Sequence, residues 1–476
     1  MYRNDRLSLG ITTAPSASRS TDSQKEIRSK RFASRLTITA GTVTLFAALT
    51  PAFAQEAVQN QPSPDYAALT GQKRPAVMPG IVITPASTQF TPADRGKRAH
   101  TNVHFIIPST ASPDELPPYN GLLYETPASL ACIYHVVTPI AGCNPNSTIT
   151  NPAGGSQTIA IVDAFDDPEA AADLAYFSDQ FGLPFSPEKF SVVYQTPSTP
   201  PPTDPSGGWE LEESLDIEYA HAMAPNATIY LVEANSNYYT DLFAAVTIAS
   251  NLVLCGKTTT CPTTSTGKGE VSMSWGGGEF PAETTWDSYL KGKNVVYFAS
   301  SGDSAGTLYP CVSPNVVCAG GTSTARSLVT GNLIEEIAWS DAGGGISLYE
   351  LRPSYQAAIS GIVGKYRGAP DLSSDANPNT GVWIYDSFPY GGYYYTWFIV
   401  GGTSVASPTL AGIVNAAGHF AASSNAELTT IYANRAVAAD FNDITYGACG
   451  YYSGTFSGTG YDLCTGVGSP HGLTAK

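Results

Sequence analysis

Four short apolar runs recur through the middle of the chain: 159–165 (IAIVDAF), 227–234 (ATIYLVEA), 270–275 (EVSMSW) and 294–300 (NVVYFAS). Each is too continuous for a half-solvated strand, so they predict buried parallel strands. Helical stretches fall at 168–181, 211–223, 239–251, 282–290 and 407–417. The alternation predicts an α/β fold, a doubly wound, mostly parallel sheet with helices on both faces. In such sheets active residues gather at the carboxyl ends of the strands.

The composition excludes two classes. With 42% hydrophobic residues over 476 positions and only 13% charged ones, the chain can bury a large core and is no disordered tail. A formal charge of −16 repels nucleic-acid phosphates. Residues 1–54 are basic, with eight Lys/Arg against three acids, and carry an apolar run at 36–49 that ends in Ala52-Phe53-Ala54. This predicts a signal peptide cut after Ala54, with an uncleaved anchor as the alternative. The remainder then carries about −21 and has no second run long enough to span a bilayer. Residues 55–121, rich in Pro, Thr, Ala and Gln with a small basic cluster at Arg95, Lys97 and Arg98, read as a short propeptide or N-terminal extension with little core of its own. Globular texture runs from 122 to 476. Eight cysteines form four close pairs, 132 with 143, 255 with 261, 311 with 318 and 449 with 464, and export lets such disulfides persist. A zinc site is disfavoured because no CxxC spacing occurs.

The sharpest local signal is 401–412 (GGTSVASPTLAG), which follows the apolar run 397–400 and reads as strand, glycine turn and helix. Small neighbours let a carbonyl approach Ser404, and a helix N-terminus sets N–H dipoles beside developing negative charge. Ser404 is therefore a candidate nucleophile. A base must accompany it, and two acids four residues apart, Glu212 and Asp216, put both carboxylates on one face of a helix whose apolar neighbours turn it into the core. Glu210 and Glu213 read as solvated bystanders. Segment 299–306 (ASSGDSAG) opens a buried strand into a polar glycine turn bearing Asp303.

The 401–412 string resembles two related serine peptidase families, the subtilisins and the sedolisins, which share an α/β fold. A subtilisin-like base would be a histidine at the start of a helix, normally followed by Gly-Thr. None of the six histidines sits in such a string, and His221 is left as the alternative base. The sedolisin pattern is represented by Glu212, Asp216, Asp303 and Ser404. Further similar strings occur in order at 124–133 (YETPASLACI), 159–168 (IAIVDAFDDP), 274–279 (SWGGGE), Pro370-Asp371 and 379–381 (NTG), so the resemblance covers about 122–476. It implies a subtilisin-like fold and a peptidase in which Glu212 takes the Ser404 proton, Asp216 orients Glu212, and protonated Asp303 supplies the oxyanion donor. It also implies a Ca²⁺ site built from the side chains of Asp443 and Asp462 and the carbonyls of Ile444, Gly458 and Gly460, an all-oxygen set that suits a hard cation.

An ordinary Glu near 4.3 stays ionised in roughly one molecule in seven at a pH near 3.5, where a His base near 6.5 is almost wholly protonated, so this chemistry points to acid action. The expected protein is secreted or periplasmic, monomeric, and acts on protein or peptide substrates, with neither nucleic acid nor stable membrane insertion after signal removal. A non-catalytic exported binding protein on the same scaffold is the alternative from another class.

Overall fold

In the computed structural model the described residues are 80–108, 116–118, 121–392, 396–450 and 455–476. The leader and its cleavage site lie outside them. Three short strands come first, β1 (Val82–Ile83), β2 (His100–Thr101) and β3 (His104–Ile106). Then follow β4 (Thr158–Ala164), β5 (Phe190–Tyr194), β6 (Thr228–Ala234), β7 (Gly269–Met273), β8 (Trp275–Gly278), β9 (Val295–Ser300), β10 (Val317–Arg326), β11 (Leu333–Ala338), β12 (Leu372–Asp375), β13 (Val382–Tyr385) and β14 (Trp397–Gly401).

The main sheet runs β11-β10-β9-β7-β4-β6-β5, with β12 also paired to β10. All its pairs are parallel except β10 with β11. The apolar runs account for this: β7 and β9 are buried along their whole length, and β4 is buried beyond its first residue. Such strands can only sit inside a sheet covered on both faces.

The longer helices are α1 (Pro127–Ile133), α2 (Ala170–Phe181), α3 (Gly208–Met223), α4 (Tyr239–Cys255), α5 (Thr403–Ala417) and α6 (Ser424–Asn434). The predicted helix at 282–290 is instead a 3-10 turn, Glu283–Leu290. All sixteen residues of α3 are buried. Glu210 and Glu213 are therefore not solvated bystanders: α3 is enclosed by α5, α2 and the sheet, so no face of it meets water. The close approach of α3 to α5 needs Gly412, where a Cβ would lie 2.7 Å from Met223 Cβ and 2.9 Å from the Ala220 carbonyl oxygen.

The N-terminal strands join the body instead of forming a core of their own. β3 lies in a second sheet, ordered β1-β3-β14-β13, and β2 pairs with β8. Val103, Phe105 and Ile106 are buried there. All four expected disulfides form. Among the described residues no helix is long and apolar enough to cross a membrane.

Candidate active site

Strand ends and two helices deliver acids and serines to one dry locus. α5 starts at Gly402, whose φ of 109° suits glycine, and a Cβ there would lie 2.1 Å from the Asn102 carbonyl oxygen and 2.6 Å from Asp303 Oδ2. Ser404 sits in the first turn of α5, fully buried. Pro408, inside the same helix, has no N–H to give to the Ser404 carbonyl. That carbonyl instead accepts the Ser274 hydroxyl at 3.2 Å. Ser274, just beyond β7, also donates to Asp216 Oδ1 at 2.8 Å, and its own carbonyl accepts the Ser404 hydroxyl at 3.1 Å. Ser274 thus ties the serine-bearing helix to the acid-bearing one.

Glu212 and Asp216 are fully buried on α3. Neither Glu212 oxygen has a hydrogen-bond partner, nor does Asp216 Oδ2. The Ser404 hydroxyl lies close enough to Glu212 to favour its ionised form, although its hydrogen bond goes to Ser274. Burial drives both carboxyls well above the usual range, and a third acid adds to the push: Asp163, near the end of β4, faces Glu212 and Asp216 with both oxygens unpartnered. Burial raises Asp163 itself to about 8. Three carboxyls sharing one dry pocket cannot all ionise, so they titrate as a group. The ordinary Glu value used to argue acid action does not hold for Glu212 in this closed site.

Asp303 follows β9. Its Oδ1 accepts both the Thr403 amide and the Thr403 hydroxyl, each at 2.8 Å, while that hydroxyl accepts the Gly302 N–H at 2.9 Å. With Oδ1 committed as an acceptor, a proton on Asp303 belongs on Oδ2. Burial lifts its pKa to about 8. His104 Nε2 approaches Oδ2 at 3.4 Å, and its other ring nitrogen lies 3.0 Å from the Thr84 hydroxyl.

The four sequence candidates Glu212, Asp216, Asp303 and Ser404 thus share one site, whereas His221 does not take part. His221 packs beside Phe185, its Nε2 is buried without a partner, and burial followed by Lys189 lowers its pKa to about 4. Sequence reasoning missed Asp163, Ser274 and Asn102. An acid inside the otherwise apolar run IAIVDAF was a usable sign for the first.

At the C-terminal end, Asp443 Oδ2 accepts the Gly460 N–H at 2.8 Å and Asp462 Oδ2 accepts the Gly458 N–H at 3.0 Å, so both carboxylates face the 458–460 turn. Asp462 Oδ1 also takes the amides of Cys464 and Thr465. Ile444 is buried beside them. Among the described residues no three His, Cys, Asp or Glu side chains converge on a metal-sized site.

No family model matches the chain. It is 31% identical over 359 residues to kumamolisin of Bacillus sp. (strain MN-32), covering 67% of this chain and 59% of that protein. It is 34% identical over 186 residues to sedolisin of Pseudomonas sp. (strain 101), covering 35% of this chain and 29% of that protein. The chain therefore spans about three-fifths or less of the length of these relatives. Among solved structures, Pseudomonas sedolisin (serine-carboxyl proteinase) complexed with two molecules of pseudo-iodotyrostatin superposes with a TM-score of 0.57 at 23% identity, over 73% of this chain and 95% of that one. Sheet order and this superposition define a subtilisin-like α/β protein. Within that class, the chain belongs to the sedolisin family.

Proposed function

We propose that the protein is a secreted serine-carboxyl endopeptidase. The observation that carries this reading is the meeting of Ser404, at the N-terminus of α5, with the Glu212–Asp216–Asp163 group and with Asp303, whose Oδ2 is the atom left free for a proton. In the proposed reaction the Ser404 hydroxyl attacks a peptide carbonyl and Glu212 takes its proton. Asp216 and Asp163 share that proton with Glu212, and Asp303 Oδ2–H and the Ser404 amide receive the oxyanion. Glu212 then protonates the leaving amine. Asp303 must keep its proton, so activity is lost as the pH rises through about 8. The acid limit is set by the first ionisation of the carboxyl group of three. Filling with water lowers that ionisation, because burial is the largest cause of the raised values.

Residues 1–54 serve in this reading as a signal peptide, 55–121 as a short propeptide or extension, and 122–476 as the peptidase domain, acting as a monomer. A Ca²⁺ ion fits the 443–462 loop by donor chemistry: two carboxylates, neither hydrogen-bonded to a basic side chain among the described residues, flank a glycine turn rich in carbonyl oxygens. Asp443, Asp462 and the carbonyls of Ile444, Gly458 and Gly460 would hold it, and its role would be to fix the loop. Digestion of a denatured protein at acid pH, read by mass spectrometry, tests the reading. Ser404→Ala should lose on the order of 10⁶ in rate, and undiminished cleavage by this variant would refute it.

A further inference from the structure

Asp303 can donate a hydrogen bond only from the oxygen that carries its proton, and three hydrogen bonds decide which oxygen that is. The Gly302 N–H donates to Thr403 Oγ1 at 2.9 Å. An N–H cannot accept, so the Thr403 hydroxyl proton must point elsewhere, and Asp303 Oδ1 stands 2.8 Å away. The Thr403 amide reaches the same oxygen, also at 2.8 Å. A carboxyl oxygen offers two lone-pair sites, and on Oδ1 donors take both. Oδ2 differs: it is buried without a hydrogen-bond partner among the described residues, and His104 Nε2 stands off at 3.4 Å. It lies over Gly402, two residues before the nucleophile, 2.6 Å from the point a Cβ would occupy. A proton on Oδ1 would have to displace the Thr403 hydroxyl or turn it against the Gly302 N–H.

We propose that Thr403 is a positioning residue whose hydroxyl, by donating to Oδ1, locks the Asp303 proton onto Oδ2, the oxygen turned towards the start of α5. The proposal rests on Ser404 being the nucleophile and Asp303 the oxyanion donor. A carboxamide would need no such lock, since its N–H side is fixed by covalent structure; a carboxyl has two equivalent oxygens, and only its surroundings tell them apart. The chain from Gly302 N–H through the Thr403 hydroxyl to Oδ1 also polarises the carboxyl, which makes Oδ2–H a stronger donor as the oxyanion forms. Burial raises the pKa of Asp303, and the two Thr403 bonds, which favour the ionised form, pull it partly back. Removing the hydroxyl therefore raises it further, and the alkaline loss of activity moves to higher pH. Water admitted by a merely loosened turn would act in the opposite direction, because burial is the largest cause of the raised value. The titratable groups that face Asp303 are His104 from β3, Asp341 from the turn after β11 and Glu212 from α3, and the test changes none of them.

The test measures kcat/KM on a fluorogenic peptide chosen from the acid digest, from about pH 3 to about pH 9. It compares the parent with Thr403→Val, Thr403→Ser, Asp303→Asn, and Thr403→Val combined with Asp303→Asn. Thr403→Val should lose about tenfold, the effect of one such hydrogen bond, while its alkaline limb moves up by about one pH unit. Thr403→Ser keeps the hydroxyl and should restore both the rate and the limb. Against Asp303→Asn the same Thr403→Val change should cost less than about threefold, because the carboxamide is already oriented. Melts run alongside check folding, and if Thr403→Val is unfolded at the assay temperature, Thr403→Ala carries the same comparison. A limb that stays in place or moves down, or an equal loss with and without Asp303→Asn, overturns the proposal and leaves the peptidase reading standing. A parent that cuts no peptide, or a Ser404→Ala that cuts as fast as the parent, sinks the peptidase reading and the proposal with it.

Discussion

Raising the pH should destabilise this protein, because many of its described carboxyls are buried outside any salt bridge. Burial lifts Asp167 from 3.8 to about 7 and Glu427 from 4.5 to about 7. Their exposures are 2% and 3%, and they lie on separate parts of the fold, before α2 and on α6. A carboxyl whose pKa is higher in the folded state binds its proton more tightly there. Its contribution to stability is whole below the unfolded value and is lost as the pH climbs through the folded one. The window for these two runs from about 4 to about 8. At ~1.4 kcal/mol per unit, Asp167 forfeits ~4 kcal/mol across it and Glu427 ~3 kcal/mol. Two such groups already approach the total stability of an ordinary domain, roughly 5–15 kcal/mol. Calorimetric melts of Ser404→Ala, chosen to prevent self-digestion, should show a Tm falling by on the order of 10 °C between pH 4 and pH 8 at fixed ionic strength. Asp167→Asn should flatten part of that slope. A Tm that stays level or rises over this range would show that these carboxyls do not hold their protons more tightly in the folded state.

Two further outcomes concern the site and the C-terminal loop. Asp303→Ala should reduce kcat by about 10² to 10³, whereas Asp303→Asn, whose Oδ1 can keep both Thr403 bonds, should retain measurable activity and lose the decline near pH 8; a pH–rate profile separates the two. Chelation should lower the melting temperature, and added Ca²⁺ should restore it; an identical melt with and without chelator would argue against a cation held by Asp443 and Asp462.

The parallel sheet was legible because its strands are uninterrupted apolar runs, and the nucleophile because strand, glycine turn and helix follow one another in a single string. Helix α3 was legible as a helix but not in its surroundings. Acids at 210, 212, 213, 216 and 218 read locally as a partly solvated face, and only the packing of α5 and α2 around it shows that all of them are buried. Asp163 was hidden for the converse reason: one acid in a β run changes the strand prediction little, yet parallel pairing delivers it to the end where Glu212 and Asp216 arrive. Asn102 was beyond local reasoning altogether, since its partner Ser404 is 302 residues away.

Covering the site and keeping protons on the base are linked through water. In this structure Glu212, Asp216 and Asp163 are buried, and burial is the largest cause of their raised pKa values. In that state few molecules carry an ionised carboxyl at acid pH. The carboxylate that does form is a stronger base towards a serine hydroxyl than a solvated Glu could be. Opening the cleft reverses both effects, giving more ionised molecules and a weaker base in each. A site built from carboxyls alone therefore trades the population of its base against its strength according to whether the cleft is covered. A histidine base would trade in the other direction, since burial lowers its pKa and makes the neutral form commoner but less basic, as the buried His221 and the half-buried His104, each brought to about 4, illustrate.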